Sequence, residues 1–287
     1  MPTRPLIQAD ELHALLTATP PRAVVVDCSF DLFNPAAGRG LHEAGHLPGA
    51  RYAHLEAHMS GPATGRNGRH PLPEREVFAQ RMRELGLDDD THVVAYDAQG
   101  GMYAARLWWM LRWAGHAAAS LLDGGLAAWK AGGFAVETGP GATVPAGGFS
   151  LRPSLVTAVD RETLLQNLQT RARLVVDARA ADRFRGENET LDPVGGRIPG
   201  AVNRFYRDNL GADGRFKPAE QLRAEMAAVT AGRAPGELVM QCGSGVTACH
   251  NLLALELAGL SGAALYPGSW SEWSAWPAAP VATGSAA

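Results

Sequence analysis

The chain has 287 residues, of which 46% are hydrophobic and 19% charged, with a formal net charge of -3. That length holds two ordinary domains with a sizeable core, and the balance excludes a disordered or fibrous polypeptide. The charge leaves no basic footprint for nucleic acid, no apolar run reaches the length of a membrane span, and three cysteines without a C-x-x-C pair give neither a disulfide scaffold nor a zinc motif.

The stretch from Met1 to Leu16 carries Asp10 and Glu11 and lacks the apolar core of a secretory signal. The expected location is therefore the cytoplasm, where a free thiol stays reduced. Val24, Val25 and Val26 form the first predicted strand, and Cys28 behind it is either core or loop. After the turn His46-Leu47-Pro48-Gly49-Ala50 comes a second strand, Val93 to Tyr96, ending at Asp97. Leu107, Trp108, Met110 and Leu111 recur at helical spacing and predict a helix over 104–113, with its tryptophans in the core. Gly139 to Gly148 is rich in turn residues and reads as a linker.

Beyond it, Asp160 suits the N-cap of a helix from Arg161 to Leu168, and Leu174 to Asp177 repeats the strand pattern. Arg197-Ile198-Pro199-Gly200-Ala201 repeats the turn, and Pro218 suits the first turn of a helix through Met226. Leu238, Val239 and Met240 read as a buried strand, and Asn251 to Leu257 as a helix. Between them lies Cys242.

These elements occur twice, about 150 residues apart. Val24–Asp27 matches Leu174–Asp177, the two Pro-Gly-Ala turns match, Val93–Asp97 matches Leu238–Cys242, and Gly124–Trp129 matches Gly268–Trp273. Short strands alternating with helices predict an α/β architecture: two tandem domains, each a mainly parallel sheet covered by helices on both faces. The boundaries fall at 1–139, a linker at 140–155, and 156–287. Asp97 stands where Cys242 stands, and a buried unpaired carboxylate is costly, so both positions are expected to be loop-exposed. Only the second copy offers a thiol there.

A lone cysteine is often just a small core hydrophobe, and Cys249, within the helical pattern, fits that reading. Cys242 instead opens a glycine-rich strand-to-helix turn, Gly243-Ser244-Gly245-Val246-Thr247. Inward-facing N–H groups and a helix N-terminus there would stabilise a thiolate or an anion.

The two Pro-Gly-Ala turns, the Cys-Gly-Ser-Gly-Val-Thr loop and the run from Tyr266 to Trp273 resemble the tandem-domain rhodanese family of sulfurtransferases over essentially the full chain. Gly243 and Ser244 resemble the branch that uses 3-mercaptopyruvate, whereas thiosulfate-preferring members carry basic residues just after the cysteine. The resemblance implies a persulfide on Cys242, a small-molecule sulfur donor, and no metal or organic cofactor. It implies as acceptor a thiol, such as that of a thioredoxin-like protein, or cyanide. It also implies a proton relay of Ser244, His70 and Glu56, although an exposed loop histidine beside Pro71 is an equal reading of His70. Arg183 matches the family's substrate arginine, with Arg179 and Arg185 in the same run. A second arginine of the branch would fall near Asp192 and is missing, and Arg197 is the candidate to compensate or is a surface residue.

Three alternatives stand beside this reading. A cysteine phosphatase needs an arginine six positions beyond its nucleophile, where this chain has Ala248. Thiosulfate is the other donor, and a sulfur carrier or interaction module without turnover is the non-enzymatic reading.

Overall fold

A computed structural model describes residues 3–141 and 143–284. Met1 and Pro2, in the stretch scanned for a signal, and Ala142, in the predicted linker, lie outside the described residues. The chain divides into two compact units, one of residues 1–61, 73–155 and 212–215, the other of 62–72, 156–211 and 216–287. Segment 62–72 thus belongs to the second unit although it lies in the first half of the sequence.

The first unit runs β1 (Leu6–Ile7), α1 (Ala9–Leu16), β2 (Val24–Asp27), α2 (Ala37–Ala44), β3 (Arg51–Tyr52), α3 (Leu55–Met59), α4 (Arg75–Glu84), β4 (Val93–Tyr96), α5 (Ala104–Trp113), β5 (Ala119–Leu122) and α6 (Gly125–Ala131). Its strands lie in the order β1-β5-β4-β2-β3, with every pair parallel. Residues of β4 and β5 are buried throughout, which is why these strands read as continuous apolar runs rather than alternations. On one face Leu12 of α1 and Trp129 of α6 pack with Val25, Val94 and Tyr96. The other face receives α5, where Trp108 and Trp109 are core residues as expected. Part of the stretch read as a linker is structured here: Gly147 N–H donates to the Arg83 carbonyl at 2.8 Å, and Phe149, itself buried, donates to Leu87 at 3.1 Å.

The second unit repeats the plan: β6 (Thr157–Ala158), α7 (Arg161–Thr170), β7 (Leu174–Asp177), α8 (Ala181–Arg185), β8 (Val202–Asn203), α9 (Ala219–Val229), β9 (Leu238–Gln241), α10 (Ala248–Leu257), β10 (Ala264–Leu265) and α11 (Ser269–Trp273). The order β6-β10-β9-β7-β8 is again all parallel and matches the first sheet strand for strand. Leu164, Phe184, Trp270 and Trp273 cover Val175 and Val239 on one face, while α10 packs on β9 and against α9. Asp160 caps α7 as predicted, its Oδ1 accepting from Thr163 N–H at 2.8 Å. Pro218 stands one position earlier than predicted, at the N-cap of α9, where its carbonyl accepts from Leu222.

Candidate active site

Register places the thiol. Gln241 ends β9 at the sheet centre beside Asp177, and Cys242 is the first residue past the carboxyl edge, where open parallel sheets present their ligand crevices. Cys242 N–H donates to Ser269 Oγ at 3.0 Å, and the Cys242 and Gly243 carbonyls accept from Trp270 and Ser271 N–H at 2.9 Å. The Tyr266–Trp273 run therefore clamps the base of the loop. Ser269 sits at φ 54°, a left-handed conformation that costs a non-glycine residue about 1–2 kcal/mol. Its hydroxyl offsets that cost by also donating to the Tyr266 carbonyl at 2.9 Å. The repeat contained a signal for this position, because Ser269 aligns with Gly125, whose φ is 53°.

The expectation that Asp97 and Cys242 are loop-exposed is corrected: their relative exposures are 1% and 2%. The physical reason lies in the loop, which supplies the partners that a buried carboxylate needs. Asp97 accepts N–H bonds from Gln99 and Gly101 at 2.8 Å, Tyr103 at 2.8 Å and Ala104 at 2.9 Å. Burial pushes its carboxyl up, and those four donors oppose the rise. In the second unit Ser244, Val246 and Ala248 occupy the places of Gln99, Gly101 and Tyr103. Their N–H groups donate to no acceptor among the described residues. Gly245 holds φ at 77°, and a Cβ there would stand 2.3 Å from the Pro267 carbonyl, so this turn requires glycine. Val246 and Thr247 complete the loop into α10, which begins three residues earlier than its sequence pattern suggests.

His70, in the second unit through segment 62–72, is buried rather than an exposed loop residue, and its Nδ1 lies 2.8 Å from Ser244 Oγ. Arg183, in α8, forks onto Glu189 with contacts of 2.8–3.1 Å and stands 3.5 Å from Asp192. Arg179, buried behind it, bonds Asp177 at 2.7 Å and lies 4.7 Å over the Trp270 ring. Burial works against the charge of Arg179, yet Asp177 and Glu189 hold its pKa above the ordinary value. Asp192, where the second arginine was expected, is buried and ion-paired to Arg69. Burial raises its carboxyl pKa against the pull of Arg69.

Each remaining candidate has its own surroundings. Arg185 pairs with Glu187 at 2.7 Å in a partly exposed setting. Arg197 is buried, not a surface residue; it lies 4.8 Å over Phe184 and donates to the Gly284 carbonyl at 2.6 Å. Glu56 is exposed on α3 of the first unit, where its N–H donates to His54 Nδ1 at 3.2 Å. Cys249 is buried in α10 with its thiol 3.4 Å from the Gly245 carbonyl. Cys28 is core, with burial followed by Asp27 and Asp97 pushing its thiol well up. All three cysteines are unbridged. Among the described residues no helix is long and apolar enough to cross a membrane. Ala248 is buried at the start of α10 and supplies no guanidinium to a phosphate.

The family model for the rhodanese-like domain matches residues 8–132 and 160–275. A probable 3-mercaptopyruvate sulfurtransferase of Pseudomonas aeruginosa is 47% identical over 286 residues, covering 99% of this chain and 100% of that protein. The thiosulfate sulfurtransferase of Mus musculus is 36% identical, covering 88% of this chain and 85% of its own. Among solved structures, the 3-mercaptopyruvate sulfurtransferase of Leishmania major superposes with a TM-score of 0.84 at 29% identity, over 96% of this chain and 75% of that one.

Proposed function

We propose that this chain, which belongs to the rhodanese-like domain family, is a sulfurtransferase carrying sulfur from 3-mercaptopyruvate through a persulfide on Cys242 to a thiol or cyanide. The observation that carries the reading is the pair of loops. The first loop surrounds a carboxylate with four N–H donors, and the second sets a thiol in the carboxylate's place with three of the four corresponding N–H groups unused among the described residues. A persulfide anion on Cys242 would extend the charge toward the N–H groups of Ser244, Val246 and Ala248.

In the first half-reaction the Cys242 thiolate attacks the donor sulfur. The S–S bond forms as the donor C–S bond breaks, and its electron pair leaves as the enolate of pyruvate. Ser244 and His70, 2.8 Å apart, carry the proton released by the donor thiol to that enolate carbon. Glu56 is assigned the acid of the relay by the family resemblance, and Arg183 receives the donor carboxylate. Arg185 and Arg197 keep supporting roles, bracing the neighbouring segments through Glu187 and Gly284. In the second half-reaction the acceptor attacks the outer sulfur, giving thiocyanate from cyanide or a persulfide from a thiol and restoring the Cys242 thiolate. A reducing compartment, the cytoplasm, suits this cycle. The repeats are assigned to 1–139 and 156–287, joined by 140–155.

Thiosulfate is the second reading, favoured by the likeness to the mouse enzyme. Parallel assays with both donors and cyanide separate the two, with the higher kcat/KM expected for 3-mercaptopyruvate. Mass spectrometry of donor-treated protein should find one added sulfur, absent in Cys242→Ser, whose turnover should vanish. Turnover surviving in that variant would refute the nucleophile, and a persulfide formed without repeated turnover would identify a carrier.

A further inference from the structure

Beside the Cys242 loop stands a second guanidinium that neither the motifs nor the mechanism above uses. Arg69 precedes His70; its N–H donates to Ser271 Oγ at 3.0 Å and its Nη1 is paired with Asp192. The Asp192 side chain is 3% exposed and that of Arg69 26%, so the pair is anchored at its acidic end and open at its basic end. A Cβ built on Gly243 would lie 2.9 Å from Arg69 Nη2 and 3.7 Å from Arg183 Nη1. Neither of those two nitrogens donates to an acceptor among the described residues, because Asp192 takes Arg69 Nη1 and Glu189 takes Nε and Nη2 of Arg183. Two unused N–H edges therefore converge over the residue that follows the nucleophile.

We propose that Arg69 is a donor-binding residue: its Nη2 and Nη1 of Arg183 together receive the carboxylate of an α-keto acid donor, and Asp192 is the positioning residue that holds Arg69 over Gly243. The proposal rests on the sulfur-donor reading of Cys242. Planar guanidinium edges suit the two oxygens of a carboxylate. The surrounding charges favour a monoanion over a dianion, since Arg69, Arg179 and Arg183 are matched by Asp177, Glu189 and Asp192. The acid at 192 thus substitutes for the expected arginine indirectly, by fixing a guanidinium that comes from position 69.

Steady-state kinetics of the full chain test this with Arg69→Gln and Arg69→Lys. Arg69→Gln should raise KM for 3-mercaptopyruvate about 10- to 100-fold, the span of a hydrogen bond to a charged group, with kcat little changed. Arg69→Lys retains the charge but loses the fork, and should fall between the two, which also covers a failure of the glutamine variant to fold. The readout that a merely structural role would shift in parallel is the second half-reaction: Cys242 persulfide loaded with polysulfide should discharge to cyanide at the wild-type rate in both variants. An unchanged KM, an equal loss in cyanide discharge, or an equal rise in KM for thiosulfate would overturn the carboxylate assignment. Absence of wild-type turnover with 3-mercaptopyruvate would overturn the sulfur-donor reading itself, and the assignment with it.

Discussion

His70 shows how a single side chain changes meaning when its surroundings are known. In the sequence it is a loop histidine beside Pro71; in the structure it is buried with its Nδ1 2.8 Å from Ser244 Oγ, two residues from the thiol. A group so placed can pass a proton to the departing enolate but has nothing to contribute once the persulfide exists. His70→Ala should therefore lower kcat with 3-mercaptopyruvate by about 10²–10⁴-fold, the usual worth of general acid–base help. Rapid-mixing measurement of each half-reaction locates the loss: persulfide formation slows, and cyanide discharge does not. Equal slowing of both steps would remove His70 from the relay. Arg69, next to it, was illegible for a different reason. Sequence order places it 123 residues from Asp192, and only tertiary contact turns an apparent missing charge at 192 into a guanidinium held over Gly243.

The two strand-to-helix loops hold the same place in the repeat with different occupants and different backbones: Gly100 and Gly101 both take positive φ, at 76° and 87°, whereas of their counterparts Gly245 does, at 77°, and Val246 does not. The loop after β4 closes around its own Asp97, and the loop after β9 leaves three of the four matching donors for what Cys242 carries, the fourth, Cys249 N–H, being bonded to the Val246 carbonyl at 3.1 Å. The correspondence is legible in the repeat, but the burial is not, because the N–H groups that the turn directs at the carboxylate leave no mark in a residue pattern. This cradle makes Asp97 a structural group of the first unit. Asp97→Ala would strand three buried donors and the part-buried one of Gln99, at about 1–3 kcal/mol for each buried one before relaxation, so a total loss above about 3 kcal/mol is expected. Asp97→Asn keeps the shape and an acceptor oxygen and should cost less. Urea unfolding of the two variants checks the order, and a loss below 1 kcal/mol in Asp97→Ala would mean that water replaces the carboxylate.

Across the whole molecule, the duplication and the parallel α/β plan were legible because burial on both faces leaves continuous apolar strands, and two copies of each landmark confirm one another. Segment 62–72 was not legible as part of the second unit, since nothing in a local pattern records which core a loop packs on. Stability against acid is likewise a property that pattern alone conceals, and Glu225 in α9 shows it. Its carboxylate accepts from Arg204 at 2.5 Å, Lys217 at 3.0 Å and Gln221 at 2.8 Å. Arg204 in turn bonds Asn209 at 3.2 Å, and Asn209 bonds Asn251 of α10 at 2.7 Å, so the carboxylate links α9 to the helix that follows the Cys242 loop. Burial alone would raise the Glu225 pKa, but the hydrogen bonds from Arg204, Lys217 and Gln221 outweigh it and draw the value from 4.5 down to about 2. A folded-state pKa below the unfolded one stabilises the fold above the unfolded value, and that stabilisation is lost as pH falls from 4.5 toward 2. Solvent screening of this partly exposed group reduces its worth to about 1–2 kcal/mol. Glu225→Gln should accordingly be less stable than wild type by that amount at pH 7, and the gap should close between pH 4.5 and 2. Urea midpoints of the two proteins across that range measure it. A gap that stays constant with pH would mean that the carboxylate's packing, rather than its charge, joins α9 to its neighbours.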